Sequence, residues 1–223
     1  MVFLKQLLKY LITRTYRPVL VKYLSKTRTY VYKNITLVIP KEVFHPGFFF
    51  STKLLLRYVS FQHLNQKTLL ELGAGSGLIS IYAARKGSRV TASDINPVAI
   101  AFLEKNSQCN GVHFRILHSD LFDQIPLQAY DVMVINPPYY KKKPVSYADY
   151  AWFCGENGEY FERLFKGLKD YMHANSVVLM VLCEGCDLEM VHRFAQENGF
   201  RLDCLYQKQN ILEKNFIFKI KFA

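Results

Sequence analysis

Residues 68–77 read TLLELGAGSG, an apolar run that breaks into glycines and leads into a helical pattern near 77–86. Such a strand-to-helix corner decides the architecture. Glycines there let backbone N–H groups and the helix N-terminus approach a bound ligand closely, where side chains would stand in the way. In open α/β sheets, ligands sit at this carboxyl edge of the strands. Gly73, Gly75 and Gly77 form G-x-G-x-G, with Leu78 where a dinucleotide fingerprint puts its third glycine. NAD and FAD are disfavoured on that ground, and ATP and GTP by the lack of a lysine after the glycines.

The same pattern of short apolar runs separated by helical stretches continues outward. RVTAS (89–93), FRILH (114–118), DVMVI (131–135) and SVVLMVLC (176–183) read as further strands buried on both faces. Helices are predicted near 77–86, 97–109, 156–173 and 188–198, and Asn96-Pro97 supplies an N-cap followed by a proline at the first helical position. RLDCLYQ and NFIFKIKF then fit a terminal strand pair closing one edge of the sheet. The result is a doubly wound, mostly parallel, seven-stranded α/β sheet. We assign it to residues 68–223, preceded by an extension over residues 1–67. In that extension Leu4, Leu7, Leu8, Leu11 and Ile12 recur at helical spacing around Lys5 and Lys9, which predicts a basic amphipathic helix that Pro18 interrupts. TRTYVYKNITLVIPKEVF predicts a hairpin or strand pair around Lys33-Asn34.

Two strand ends carry acids. Asp94 closes the second strand of the sheet, 21 residues after Gly73, where a carboxylate accepts hydrogen bonds from ribose hydroxyls. Asp120, after the third, lies on the same edge in reach of an adenine amino group. Together with the glycines they describe a nucleoside site without an evident phosphate ligand. The fourth strand runs into Asn136-Pro137-Pro138-Tyr139, 63 residues after Gly73. Prolines offer carbonyls and no donors, so a segment with two fixed φ angles presents the Asn136 side-chain oxygen and the Pro137 carbonyl as preorganised acceptors. Two acceptors suit an NH2 on a planar, conjugated carbon, as in a nucleobase or the amide of glutamine. Holding both N–H bonds favours the pyramidal, more cationic nitrogen that develops as it attacks an electrophile. Tyr139 is placed to stack on a flat target, worth about 1–3 kcal/mol for a base.

Charge is distributed unevenly. The chain carries +11, and residues 1–67 hold twelve Lys or Arg against one acid, Glu42, so the excess lies entirely in the extension. Tyr10, Tyr16, Tyr23, Tyr30 and Tyr32 are interleaved with those bases, and Lys141, Lys142 and Lys143 follow the proline motif. That composition suits phosphates and stacked bases, hence an RNA or ribosomal partner. Two other readings stand beside it: tyrosines that pack on the core among solvated lysines, and a first helix lying on an anionic membrane surface. No run approaches the roughly 18 apolar residues of a transmembrane span. Lys5, Lys9 and Arg14 break up the first residues, unlike a signal peptide, so the default compartment is the cytoplasm. Five cysteines do not form a disulfide framework, and Cys183-x-x-Cys186 lacks the second pair that a zinc site needs.

ELGAGSG, SDINP (93–97), HSDLFD (118–123) and NPPYY together resemble the motifs of Rossmann-like class I S-adenosylmethionine-dependent methyltransferases that modify exocyclic amino or amide nitrogens. GENGEYFERLF (155–165) is similar to the HemK-type glutamine methyltransferases, and HPGFFFSTKLLL (45–56) to the small-domain methyltransferases of ribosomal RNA. Upstream, His45-Pro46-Gly47 stands where the HemK type has an acid-containing proline motif. The resemblance implies that S-adenosylmethionine is the cofactor. Gly73, Gly75 and Gly77 would frame its methionine part, Asp94 its ribose and Asp120 its adenine end. Glu71, Ile95, Leu121 and Asn136 complete the cofactor set. Asn136, Pro137, Pro138 and Tyr139 form the catalytic segment. The implied activity is N-methylation of RNA or a ribosome-associated target, with protein glutamine methylation of the release-factor type as the alternative. A non-catalytic cofactor- or RNA-binding module is the third possibility.

Overall fold

A computed structural model describes residues 22–209 and 213–223. The amphipathic helix expected over residues 1–12 and the break at Pro18 lie outside them. The chain from residue 28 begins with an antiparallel hairpin, β1 (Arg28–Tyr32) and β2 (Ile35–Ile39), turning at Lys33-Asn34 as expected. Helix α1 (Phe50–Val59) follows. The main sheet then builds from β3 (Thr68–Leu72), β4 (Arg89–Asp94), β5 (Arg115–His118), β6 (Val132–Ile135), β7 (Val177–Cys183), β8 (Phe200–Gln209) and β9 (Lys214–Phe222). Between them run α2 (Leu78–Arg85), α3 (Pro97–Cys109), α4 (Glu159–Leu168) and α5 (Leu188–Glu197).

The seven strands lie in the order β5-β4-β3-β6-β7-β9-β8. Pairings from β5 through β7 are parallel, and β9 enters antiparallel between β7 and β8. After β5 the chain returns to the other side of β3, so the strand order reverses there and opens a crevice at the carboxyl ends of β3 and β6. Leu72 pairs with Ile135, so the glycine loop and the Asn136 segment leave neighbouring strands at the same level.

Alternating side chains of the central strands feed two cores. Leu70, Leu72, Met133, Ile135 and Met180 pack on one face with Phe161, Leu164 and Phe165 of α4 and Val191 of α5. Leu69, Val132, Val134, Leu179 and Val181 pack on the other with Leu54 and Leu55 of α1, Ile79 of α2 and Leu103 of α3. Ile35, Leu37 and Ile39 of the hairpin join this second core. Two amides, from Asn106 in α3 and from Asn110 just past its end, also hold the hairpin by imitating a partner strand. Asn106 Oδ1 accepts from Val38 N at 2.8 Å and its Nδ2 donates to Val38 O at 3.1 Å. Asn110 does the same with Thr36 N at 3.1 Å and Thr36 O at 2.6 Å.

Three details depart from the expected pattern. FRILH is not buried on both faces, because β5 is the edge strand and its side chains are exposed or half-buried. Asp131 lies just before β6, accepting from Thr68 N at 2.8 Å and Lys67 Nζ at 2.9 Å, and these donors hold its carboxyl down at about 2. The helix expected from 156 starts only at Glu159, whose carboxylate reaches back to Asn157 N at 3.0 Å and Asn157 Nδ2 at 3.1 Å. It ends at Leu168 and passes into a short 3-10 turn, Lys169–Tyr171. Asn96 caps α3 as its sequence predicts, accepting from Val98 N at 2.9 Å. Among the described residues, no helix is long and apolar enough to cross a membrane.

Candidate active site

The loop after β3 is shaped by its own backbone. Gly73 N and Ala74 N both donate to Ser93 O at 2.9 Å, which ties the loop to the end of β4. Gly73 has φ +72°, and a Cβ built there would meet no protein atom within 4 Å. A side chain at that position would project into the open space of the cleft, which glycine leaves free for a ligand. Gly77 is different. It precedes α2 with φ +88°, and a Cβ there would stand 2.2 Å from Leu103 Cδ1. Its bareness lets α2 and α3 pack closely.

All the site residues singled out from the sequence except Gly77 line one cleft. Asp94 stands at its floor, with Oδ2 accepting from Gly75 N at 2.8 Å and Oδ1 from Asn96 N at 2.9 Å. Enclosure by protein pushes its carboxyl up, and these donated N–H bonds oppose the shift. Glu71, buried in β3, receives the Ser80 hydroxyl. Burial pushes its carboxyl up to about 8, and the Asp94 charge adds to the effect. One carboxylate is thus displayed to the cleft while its neighbour is held largely as the neutral acid. Asp120 Oδ2 accepts from Arg163 Nη1 at 2.6 Å, so α4 fixes its orientation. Leu121 turns through a left-handed φ of +49°, with its carbonyl receiving Ser119 Oγ at 3.0 Å.

Beside the glycine loop, at the end of β6, Asn136 Nδ2 donates to Thr52 Oγ1 of α1 at 3.3 Å. The donor end of the amide is thereby engaged by protein, and among the described residues no group donates to Oδ1 or to the Pro137 carbonyl. Both remain acceptors on the cleft wall. The following residues are fastened from behind. Tyr139 N and Tyr140 N donate to Trp152 O at 3.2 and 3.0 Å, Cys154 N to Tyr140 O at 3.0 Å, and Lys142 N to Gly155 O at 3.1 Å. Tyr139 lines the cleft, and burial pushes its phenol far up. Cys183 and Cys186 are buried thiols, and burial raises Cys183 to about 11.

The sequence reading did not single out Phe44, Pro46, Thr52, Trp152 or Tyr160, all of which line the cleft. Their signal was present in part. Pro46 and Thr52 sit in HPGFFFSTKLLL, Tyr160 and Arg163 in GENGEYFERLF, and Trp152 is the only tryptophan of the chain. The arrangement fits S-adenosylmethionine: a bare glycine wall and the strand-end carboxylates Asp94 and Asp120 facing one cavity.

Residues 34–160 match the methyltransferase small domain family. The chain belongs to that family. This methyltransferase is similar to a putative protein N5-glutamine methyltransferase of Methanocaldococcus jannaschii, at 34% identity over 152 residues, covering 66% of this chain and 75% of the relative. It is also 34% identical over 126 residues to the release factor glutamine methyltransferase of Chlamydia trachomatis, covering 55% of this chain and 43% of that one. Among solved structures, the 16S rRNA N2 G1207 methyltransferase of T. thermophilus, in complex with AdoMet and guanosine, superposes with a TM-score of 0.61 at 18% identity. That match covers 88% of this chain and 50% of the other, and it shows the shared fold. The methyltransferase is a Rossmann-like class I enzyme that depends on S-adenosylmethionine.

Proposed function

We propose that the protein methylates a planar amino or amide nitrogen of RNA or of a ribosome-associated target, a substrate that would place its action in the cytoplasm. The observation that carries this reading is the pair of unengaged acceptors, Asn136 Oδ1 and the Pro137 carbonyl, lining the same cleft as Gly73.

Gly73 and Gly75 would hold the methionine part of the cofactor, Asp94 its ribose hydroxyls and Asp120 its adenine end, with Ile95 and Leu121 along the nucleoside. When bound, the cofactor supplies an electrophilic methyl on a sulfonium sulfur. Asn136 Oδ1 and Pro137 O would each accept one N–H of the target. The nitrogen lone pair, delocalised in the free substrate, is localised as the group pyramidalises between them, and the charge that grows on nitrogen meets two fixed dipoles. Because that nitrogen becomes acidic only as it reacts, its proton is lost late and no strong base is required. Thr52 keeps Asn136 Nδ2 turned away from the substrate, and Pro138 holds the segment rigid. Residues 1–67, with their excess of positive charge, would serve as a reader, and their Phe44, Pro46 and Thr52 also form part of the catalytic cleft.

Protein glutamine is the second reading, favoured by the M. jannaschii relative and the GENGEYF segment. Both targets present the same planar NH2. The test incubates the purified protein with methyl-labelled S-adenosylmethionine and an extract of cells lacking it, then digests separately with RNase and protease. Label released only by RNase supports the first reading, and label released only by protease supports the second. Absence of label in both would reject transfer to either.

A further inference from the structure

Aromatic residues crowd the mouth of the cleft from both sides. On one lip, Phe44 and Phe49 stack at 4.3 Å between ring centroids. Trp152, from the other lip, lies 5.2 Å from Phe44 and 5.0 Å from Phe49, so the three rings meet across the opening. Beyond Trp152 the segment from Tyr140 to Ala151 is held shut at its base by the hydrogen bonds that fasten Tyr139, Tyr140 and Lys142. Its tip is shaped by Asp149, which accepts from Val145 N at 3.0 Å and Ser146 N at 3.1 Å. This rigid loop nevertheless displays its large side chains to solvent: Tyr147 is 51% exposed and Tyr150 38%, and both also line the cleft. Exposed rings grouped at the rim of a cleft form the kind of patch that marks an interaction site.

Bases outnumber acids around these rings, where Asp149 and Glu42 are the nearby acids. Residues 22–67 contain eight Lys or Arg and a single acid, Glu42. Part of that segment reaches the cleft lip, because Tyr23 packs on Phe48 at 5.2 Å, with Arg28 stacked over Tyr23 at 4.2 Å and Lys53 Nζ bound to Gly47 O at 3.1 Å. On the other lip Lys141 is paired with Asp187, whereas Lys142 lies 4.8 Å over Phe153 and Lys143 has no acidic partner among the described residues. Flat rings spaced between cations match a chain of alternating bases and phosphates, because each base offers a π face and each phosphate a charge. An acidic peptide would satisfy the lysines but leave the rings in water.

We propose that the two lips form a docking surface for a single-stranded segment of RNA, with Tyr147, Tyr150 and Trp152 stacking on the bases next to the target. The inference deepens the N-methyltransferase reading by naming its substrate class, and it can be tested without methyl transfer. Trp152 is the sole tryptophan, so its emission reports directly on stacking at the mouth. The full-length protein is titrated with a mixed-sequence single-stranded oligoribonucleotide of about twelve residues. Expected are quenching of Trp152, an affinity that falls steeply as salt rises, and a loss on the order of 10-fold or more in Tyr147→Ala/Tyr150→Ala. Phe61→Ala, which removes an exposed ring that does not line the cleft, should bind as the unaltered protein does. An oligonucleotide that leaves the emission unchanged would overturn the proposal, as would tyrosine variants of full affinity. So would quenching by a glutamine-bearing peptide where RNA gives none. RNA binding without methyl transfer would reject the reaction and leave the surface standing, whereas transfer to protein without RNA binding would reject the surface alone.

Discussion

Thr52 Oγ1 receives Asn136 Nδ2 at 3.3 Å, joining α1, well outside the glycine-loop and proline motifs, to the residue that would hold the target nitrogen. A carboxamide has two ends of opposite character, and a single partner on its donor end decides which faces the substrate. Replacing Thr52 by Val keeps the volume but removes that partner. Transfer should slow on the order of 10-fold, the scale of one lost orienting hydrogen bond. Asn136→Ala removes the acceptor itself and should abolish transfer while leaving S-adenosylmethionine affinity within a few fold. Labelled-methyl assays and calorimetry on both variants measure the two effects, and normal turnover in Asn136→Ala would reject the mechanism.

Asp94 combines two jobs that a single substitution separates from catalysis. Its carboxylate orders the loop through Gly75 N and the start of α3 through Asn96 N, and it faces the cleft where ribose hydroxyls would bind. Asp94→Ala should weaken cofactor binding by roughly 10- to 100-fold, in keeping with loss of hydrogen bonds to a charged group. Calorimetric titration with S-adenosylhomocysteine gives the answer, and an unchanged affinity would remove Asp94 from the ribose role.

Asn106 is a structural counterpart to these. It is fully buried and satisfies Val38 N and O together with Ser76 O, so it bonds both the hairpin and the glycine loop to α3. Asn106→Ala strands those three backbone groups, at a cost of about 2–4 kcal/mol. In a chain of this size Tm should fall by roughly 5–15 °C. A smaller change in a thermal melt would mean that Ile35, Leu37 and Ile39 dock the hairpin by apolar contact alone.

The sheet was legible because its central strands are buried on both faces, which gives short apolar runs such as DVMVI and SVVLMVLC alternating with helical stretches. Adjacency of the Gly73 loop and Asn136 followed from topology once β3 and β6 were identified. Side-chain direction was not legible. Gly73 and Gly77 look alike in the sequence, yet one faces the cleft and the other faces Leu103, because the helix that supplies Leu103 begins only at Pro97. The burial of Tyr139 beside the cleft depends on the long-range pairing of β6 with β7. Thr52 and Trp152 reach the site through the packing of α1 and of the loop after Tyr140, contacts with no local periodic signature.

Glu71 makes stability depend on pH in a direction opposite to that of most paired carboxylates. Its folded-state carboxyl is raised from 4.5 to about 8 by burial, so the native protein holds this proton more tightly than the unfolded chain does. The associated stability is fully present below about pH 4.5, declines as pH rises, and is lost once pH exceeds the folded value near 8. Asp131, held down at about 2, works the other way, but its contribution is complete above its unfolded value of 3.8 and does not vary between pH 6 and 9. Glu71→Gln keeps the shape of the neutral acid and cannot ionise. Melting temperatures of the unaltered protein should therefore drop between pH 6 and 9, while those of Glu71→Gln should change much less. Parallel pH profiles for the two would show that Glu71 ionises at little cost where it sits, and that Ser80 and the loop already compensate its charge.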